Sequence, residues 1–290
     1  MDLHQEQAGE LIDIAEVSKL INIQRPYFAF LQLHQYKGTL IGNFRTEQPM
    51  VYEAGPVAAG ELGRHLAILG SSAAVALGNG PEAYYLATKA RFTRKPAHLT
   101  SYHDMLHASA QVLSIDKRTL KIFAKAWGAE PLAELECEYI ILTPSVFERS
   151  FKDYASDDPP ATQESPYRIS IPLHHRVWQK GSLDASAGPL SSSQCAGHFY
   201  HYPCWPVAII SQTAFEVTGE LLKNKYGDRT RFYVLHTELS AEKLVGANTT
   251  LRFNITLTKE SLPLIKTITH VYRNSEEIAK LISILELTFI

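Results

Sequence analysis

Cysteine is scarce: three residues in 290, Cys137, Cys195 and Cys204. An odd number at these spacings suits neither a disulfide framework nor a zinc ribbon, and a reducing, cytoplasmic setting is the simplest expectation. Basic charge is not in excess either. The formal net charge is −2, where a general nucleic-acid binder shows a basic surplus. No apolar run approaches the roughly 20 residues that span a bilayer. The opening Met1-Asp2-Leu3-His4-Gln5-Glu6-Gln7 has neither the basic region nor the apolar core of a signal peptide. Also missing are the Gly-x-Ser-x-Gly elbow, the Walker loop and the Gly-x-Gly-x-x-Gly fingerprint, so no cofactor is expected. His103-Asp104-Met105-Leu106-His107 imitates the helical His-Glu-x-x-His zinc motif. It sits where a loop enters a strand and has no obvious third ligand, so no metal is expected.

What is present is an ordinary globular composition, 45% apolar and 20% charged, read twice. Gly55-Pro56-Val57-Ala58-Ala59 parallels Trp205-Pro206-Val207-Ala208-Ile209 about 150 residues later. A helical pattern follows each, Glu61 to about Val75 and Ser211 to about Lys223. Glycines then stop them, in Gly78-Asn79-Gly80 and Gly227-Asp228. Strands are expected next at 84–90 and 232–238. Longer strand-like runs close the halves: 108–114, 120–127 and 133–142 in the first, 250–258, 265–272 and 279–289 in the second. Leu251-Arg252-Phe253-Asn254-Ile255-Thr256-Leu257 shows the period-two alternation of a strand buried on one face. Around Asp157-Asp158-Pro159-Pro160 the chain turns polar and proline-bearing, as linkers do. The expected organisation is an N-terminal repeat over 1–150, a linker over 151–165 and a C-terminal repeat over 166–290. The fold class is α+β, each repeat wrapping one central helix in a curved antiparallel sheet. The first helix is rich in small residues (Ala58, Ala59, Gly60, Gly63, Ala67, Gly70), which lets a sheet close tightly around it.

Gly197-His198-Phe199-Tyr200-His201-Tyr202-Pro203-Cys204-Trp205-Pro206-Val207 resembles the Gly-His-Phe-Pro-Gly-x-Pro-Val-x-Pro-Gly signature of the bacterial 3-hydroxyacyl-ACP dehydratases. The inner Pro-Gly has become Tyr200-His201 and the last glycine Val207. In the first half, Arg25-Pro26-Tyr27-Phe28 and Lys89-Ala90-Arg91-Phe92-Thr93-Arg94-Lys95-Pro96 are similar to other segments of that family, and Glu61-Leu62-Gly63-Arg64-His65 falls near its helical carboxylate. The resemblance implies a double hotdog fold. It also implies one composite site, with His198 from the second repeat and Glu61 from the first, because only one of two equivalent sites keeps both groups.

For dehydration of a 3-hydroxyacyl thioester, His198 would act as base at the α-carbon and Glu61, its carboxyl kept protonated by burial, would assist departure of the hydroxyl. Gly197 and Pro206 frame the histidine, and backbone N–H groups opening the second helix could receive the thioester oxygen. His65, one turn after Glu61, would orient it, and His201 is a rival base or a narrowing of the entrance. Arg91, Arg94 and Lys95 could meet an acyl carrier protein or the phosphate of its arm; CoA is the other expected carrier. Each assignment has a plainer reading: a structural histidine, a first-turn glutamate favoured by the helix dipole, a solvated strand edge. Thioester hydrolysis and a non-catalytic acyl-binding or partner subunit are the alternative functions, since a fold alone hosts many. A homo-oligomer of double units stays open.

Overall fold

The computed structural model describes residues 9–78, 80–94, 105–156 and 164–289. In chain order the first part comprises β1 (Glu10–Ile12), α1 (Ile14–Leu20), β2 (Gln32–Tyr36), β3 (Thr39–Phe44), α2 (Ala59–Ala76), β4 (Tyr84–Arg94), β5 (Leu106–Ile115), β6 (Thr119–Trp127), β7 (Pro131–Leu142) and α3 (Pro144–Ser150). The second comprises β8 (Leu173–Gln179), β9 (Ser182–Ala187), α4 (Val207–Tyr226), β10 (Thr230–Ala241), β11 (Leu251–Ser261), β12 (Leu264–Arg273) and β13 (Glu276–Phe289).

All thirteen strands form one antiparallel sheet in the order β1-β2-β3-β5-β6-β7-β4-β10-β13-β12-β11-β9-β8. Leaving out β1, the halves β2-β3-β5-β6-β7-β4 and β8-β9-β11-β12-β13-β10 follow the same path. They meet where β4 pairs antiparallel with β10, from Lys89 opposite Ser240 to Thr93 opposite His236. Equivalent strands pairing antiparallel is the local signature of a two-fold relation. The sheet wraps each long helix for the expected reason. In β6, Leu120, Ile122, Ala124 and Ala126 turn inward and are buried while Lys121 and Lys125 face out. Burying one such aliphatic side chain contributes about 1.5–3 kcal/mol.

The helices meet at Gly60, where a Cβ would stand 2.6 Å from Oε1 of Gln212. The loop before each helix reaches into the opposite half. Ala54 N–H donates to Phe232 O at 2.7 Å, and Gln24 N–H donates to Gly197 O at 2.7 Å. The second long helix begins four residues earlier than its pattern predicts, because Pro206 (φ −68°) supplies the cap position and a preset backbone. Gly227 ends it at φ 101°, as expected. Asn79 and the core of the expected linker, 157–163, lie outside the described residues.

Candidate functional site

The His198 loop is folded by its backbone. A single 3-10 turn, Ser192–Cys195, leads into Gly197 at φ +83°. There a Cβ would stand 2.2 Å from Gln24 O, so only glycine fits. His198 N–H donates to Cys195 O at 3.0 Å. The imidazole packs edge-on to Tyr27, with ring centroids 4.9 Å apart, and its Nδ1 is 3.3 Å from Cys204 Sγ. Burial lowers its pKa to about 3, so the ring is neutral at ordinary pH. With Nδ1 turned to Cys204, Nε2 is the nitrogen left for a ligand.

His198 opens onto a cavity of about 450 Å3 between α2 and α4, walled by β4, β7 and β10. Both repeats line it: Tyr27, Gly63, Arg64 and Ser71 from the first, His198 and Phe215 from the second. The first residues of α4, Val207 and Ala208, also line it. Pro206 provides no side-chain cap; its carbonyl accepts the N–H groups of Ile209 and Ile210 at 2.9 and 3.0 Å, which leaves those of Val207 and Ala208 without an acceptor within the helix. The positive end of α4 is therefore exposed to the cavity.

Arg64 is the charged residue of α2 among those that line this cavity; the expected Glu61 does not line it. Glu61 is fully buried against its own repeat, accepting N–H groups from Glu47 at 2.7 Å and Gln48 at 3.1 Å. Helix starts put Arg64 in register with the second repeat. Ala59 and Val207 open the two helices, an offset of 207 − 59 = 148, whereas the Pro-Val match gives 150. On the structural offset the partner of Gln212 is Arg64 (212 − 148). Arg64 is completely buried, with Nη2 2.5 Å from Glu47 Oε1 and its guanidinium over the rings of Tyr167 and Tyr27 (4.9 and 5.6 Å). Its Nε and Nη1 have no hydrogen-bond partner. Counting from the helix start, rather than from the proline, would have found it.

The remaining expected residues scatter. His65 is buried off the cavity, stacked on Phe44 at 4.0 Å and 3.6 Å from Glu61 Oε1; burial and Arg64 lower its pKa to about 4. His201 is exposed, its ring against Tyr200 rather than the cavity. Arg91 is exposed on the outer sheet face beside Glu136 (3.6 Å) and Glu238 (3.9 Å). Arg94 corrects the expected surface patch. Three residues along a strand reverse the face, so it points inward, buried, 3.9 Å from Glu53. Lys95, His103 and Asp104 lie outside the described residues, and His107 stacks on Trp127.

The equivalent position in the other half is filled. Glu53 Oε2 accepts the N–H of Ala59, which opens α2. Tyr52 packs on Gly219, where a Cβ would stand 2.2 Å from its ring. Gln212, Glu216, Glu53 and Arg94 are all buried and none lines the cavity. Burial pushes Glu53 and Glu216 up to about 7.

Neither a family model nor a curated protein matches the sequence. By fold the chain is similar to the acyl-CoA thioesterase II of Mycobacterium marinum, at 8% identity, covering 94% of this chain and 98% of that one with a TM-score of 0.55. A protein of unknown function with a hot dog fold from Alicyclobacillus acidocaldarius matches at 10% identity over 92% and 100%, TM-score 0.56. The 12:0-ACP thioesterase of Umbellularia californica matches at 9% identity over 91% and 100%, TM-score 0.52. At these identities the likeness shows the hotdog fold. It narrows the dehydratase resemblance to that fold. No helix among the described residues is long and apolar enough to cross a membrane.

Proposed function

We propose that the chain processes an acyl thioester, delivered on CoA or an acyl carrier protein, whose acyl chain occupies the cavity between the repeats. One observation carries this reading: a neutral imidazole and an uncapped helix N-terminus face the same apolar cavity. The first reaction it supports is hydrolysis, the activity named for two of the similar structures. His198 Nε2 takes a proton from water as the water oxygen bonds to the thioester carbonyl. The N–H groups of Val207 and Ala208, and the dipole behind them, receive the charge that develops on the carbonyl oxygen. Collapse of the adduct breaks the carbon–sulfur bond, and the imidazolium returns its proton to the thiolate. Acid and thiol leave. Glu61 and His65 act here as positioning residues, holding the loop and the helix turn that present Arg64.

The spacing Gly197-His198-Phe199, Pro203, Pro206 favours a second reaction at the same site, dehydration of a 3-hydroxyacyl thioester. His198 would take the α-proton and hand it to the departing hydroxide, so one group serves as base and acid. Mass spectrometry of 3-hydroxyacyl-ACP and 3-hydroxyacyl-CoA incubated with the protein separates the readings. Release of free acid is hydrolysis and loss of one water is dehydration. An unchanged substrate that stays bound would replace both with an acyl-binding role.

A further inference from the structure

We propose that the hydroxyl of Tyr27 is a further catalytic group, donating a hydrogen bond to the carbonyl oxygen of the bound acyl thioester beside His198. This rests on the acyl-thioester reading above. It holds for either reaction, because that oxygen gathers negative charge both in the adduct of hydrolysis and in the enolate of dehydration.

Among the described residues, three tyrosines line the cavity: Tyr27, Tyr85 and Tyr139. A buried tyrosine hydroxyl ordinarily finds a partner, and two of the three have one. Tyr85 donates to Pro81 O at 2.7 Å and Tyr139 to Ala67 O at 2.8 Å. Tyr167, packed on Tyr27, donates to Ala196 O at 2.8 Å. The Tyr27 hydroxyl has no hydrogen-bond partner among the described residues, and its oxygen is not sealed inside the protein as the unpaired Nε and Nη1 of Arg64 are. A hydroxyl neither bonded nor sealed, on a side chain that lines the cavity, is open to what enters it.

Its place suits the carbonyl. The Tyr27 ring meets that of His198 edge-on, with centroids 4.9 Å apart, and the hydroxyl projects one bond beyond its ring. Tyr27 and His198 Nε2 can therefore hold two ends of one small group, the carbonyl oxygen and the water attacking its carbon. The N–H groups opening α4 serve one lone pair of that oxygen, and a carbonyl oxygen has a second. The ring is also fixed before substrate arrives, 5.1 Å from Tyr167 and 5.6 Å from the Arg64 guanidinium, as a preorganised donor must be. Burial pushes its pKa up, so the hydroxyl keeps its proton for donation.

Tyr27→Phe removes this hydroxyl alone, and since no protein group bonds to it, the fold should be unaffected. Turnover is read on dodecanoyl-CoA and 3-hydroxydodecanoyl-CoA, with thermal unfolding followed on the same preparation of the full chain. On whichever thioester the wild type converts, the variant should lose about 10²-fold in kcat, with KM within a few-fold and Tm unchanged. A second measurement reads the bond itself. In the His198→Gln background, which slows turnover, the infrared stretch of bound dodecanoyl-CoA, isotope-labelled at its carbonyl, should move to higher frequency when Tyr27→Phe is added. Turnover equal to that of the wild type overturns the proposal. So does a loss of activity with an unmoved carbonyl stretch, or one matched by a fall in Tm, which would give the hydroxyl a structural role. A wild type that neither converts nor binds either thioester ends the acyl-thioester reading and this inference with it. A chain that works equally well without the hydroxyl ends the inference alone.

Discussion

Glu53 places its Oε2 2.8 Å from the amide nitrogen of Ala59, so the first repeat seals its own helix N-terminus with a carboxylate while the second leaves its counterpart open. One chain thus holds a filled and an open version of the same site. The filled one predicts a pH effect. Burial, opposed by Arg94, raises Glu53 from 4.5 to about 7. Between about pH 4.5 and 7 the folded chain keeps this proton and the unfolded chain has lost it, so the contribution of Glu53 to stability falls as pH rises. Glu53→Gln removes that loss. Denaturant unfolding should show the variant gaining on the wild type from pH 5 to pH 8, by up to roughly 3 kcal/mol. A constant difference across that range would mean the carboxylate is not held protonated. Glu53→Ala, which also removes the cap, should lose about 1 kcal/mol even at pH 5.

His198→Gln should lower kcat/KM for the preferred thioester by about 10²–10⁴ with the fold intact. The depressed imidazole also fixes the shape of the pH profile. A base with a pKa of about 3 is already unprotonated at pH 5, so kcat/KM should show no acid limb centred near 6.5. An inflection there that vanishes in the glutamine variant would show that the ring titrates normally and is less enclosed than its packing indicates.

Gly63 bears on chain length. It lines the cavity on α2, and a Cβ there meets nothing within 4 Å. The matching face of α4 carries Phe215, so the α2 side is the open path for an acyl chain. Gly63→Ala should raise stability by about 1 kcal/mol through helix propensity. Gly63→Leu should weaken long acyl groups far more than short ones, read as KM across a chain-length series. Equal effects on all lengths would move the acyl chain away from this wall.

Much of this architecture is legible in the residues. Alternation along Leu251–Leu257 marks a half-buried strand because the sheet has one wet face, and repetition after about 150 residues reveals two units. Arg64, the charged residue of α2 among those lining the cavity, was missed for a local reason. Neither Ala58 nor Pro206 caps its helix with a side chain, so the sequence shows no sharp start from which to count. The Pro56-Val57 match is two residues out of step and sets Leu62 opposite Gln212, while Glu61 comes from the family's helical carboxylate and stands three residues before Arg64. The inward turn of Arg94 was hidden differently: its partner Glu53 lies about 40 positions away, and only the sheet brings them together.

Glu61 offers a direct test of position against chemistry. Its two oxygens accept the N–H groups of Glu47 and Gln48 and thereby pin the loop whose Glu47 holds Arg64. Glu61→Gln keeps one acceptor and replaces the other with a donor facing an N–H group. It should cost about 1–3 kcal/mol of stability, while kcat per folded molecule stays within a few-fold. A carboxylate taking part in proton transfer would give the reverse pattern, with stability nearly unmoved and kcat reduced as far as in His198→Gln. Measuring unfolding and turnover on the same preparation decides between them, because the two roles move different observables.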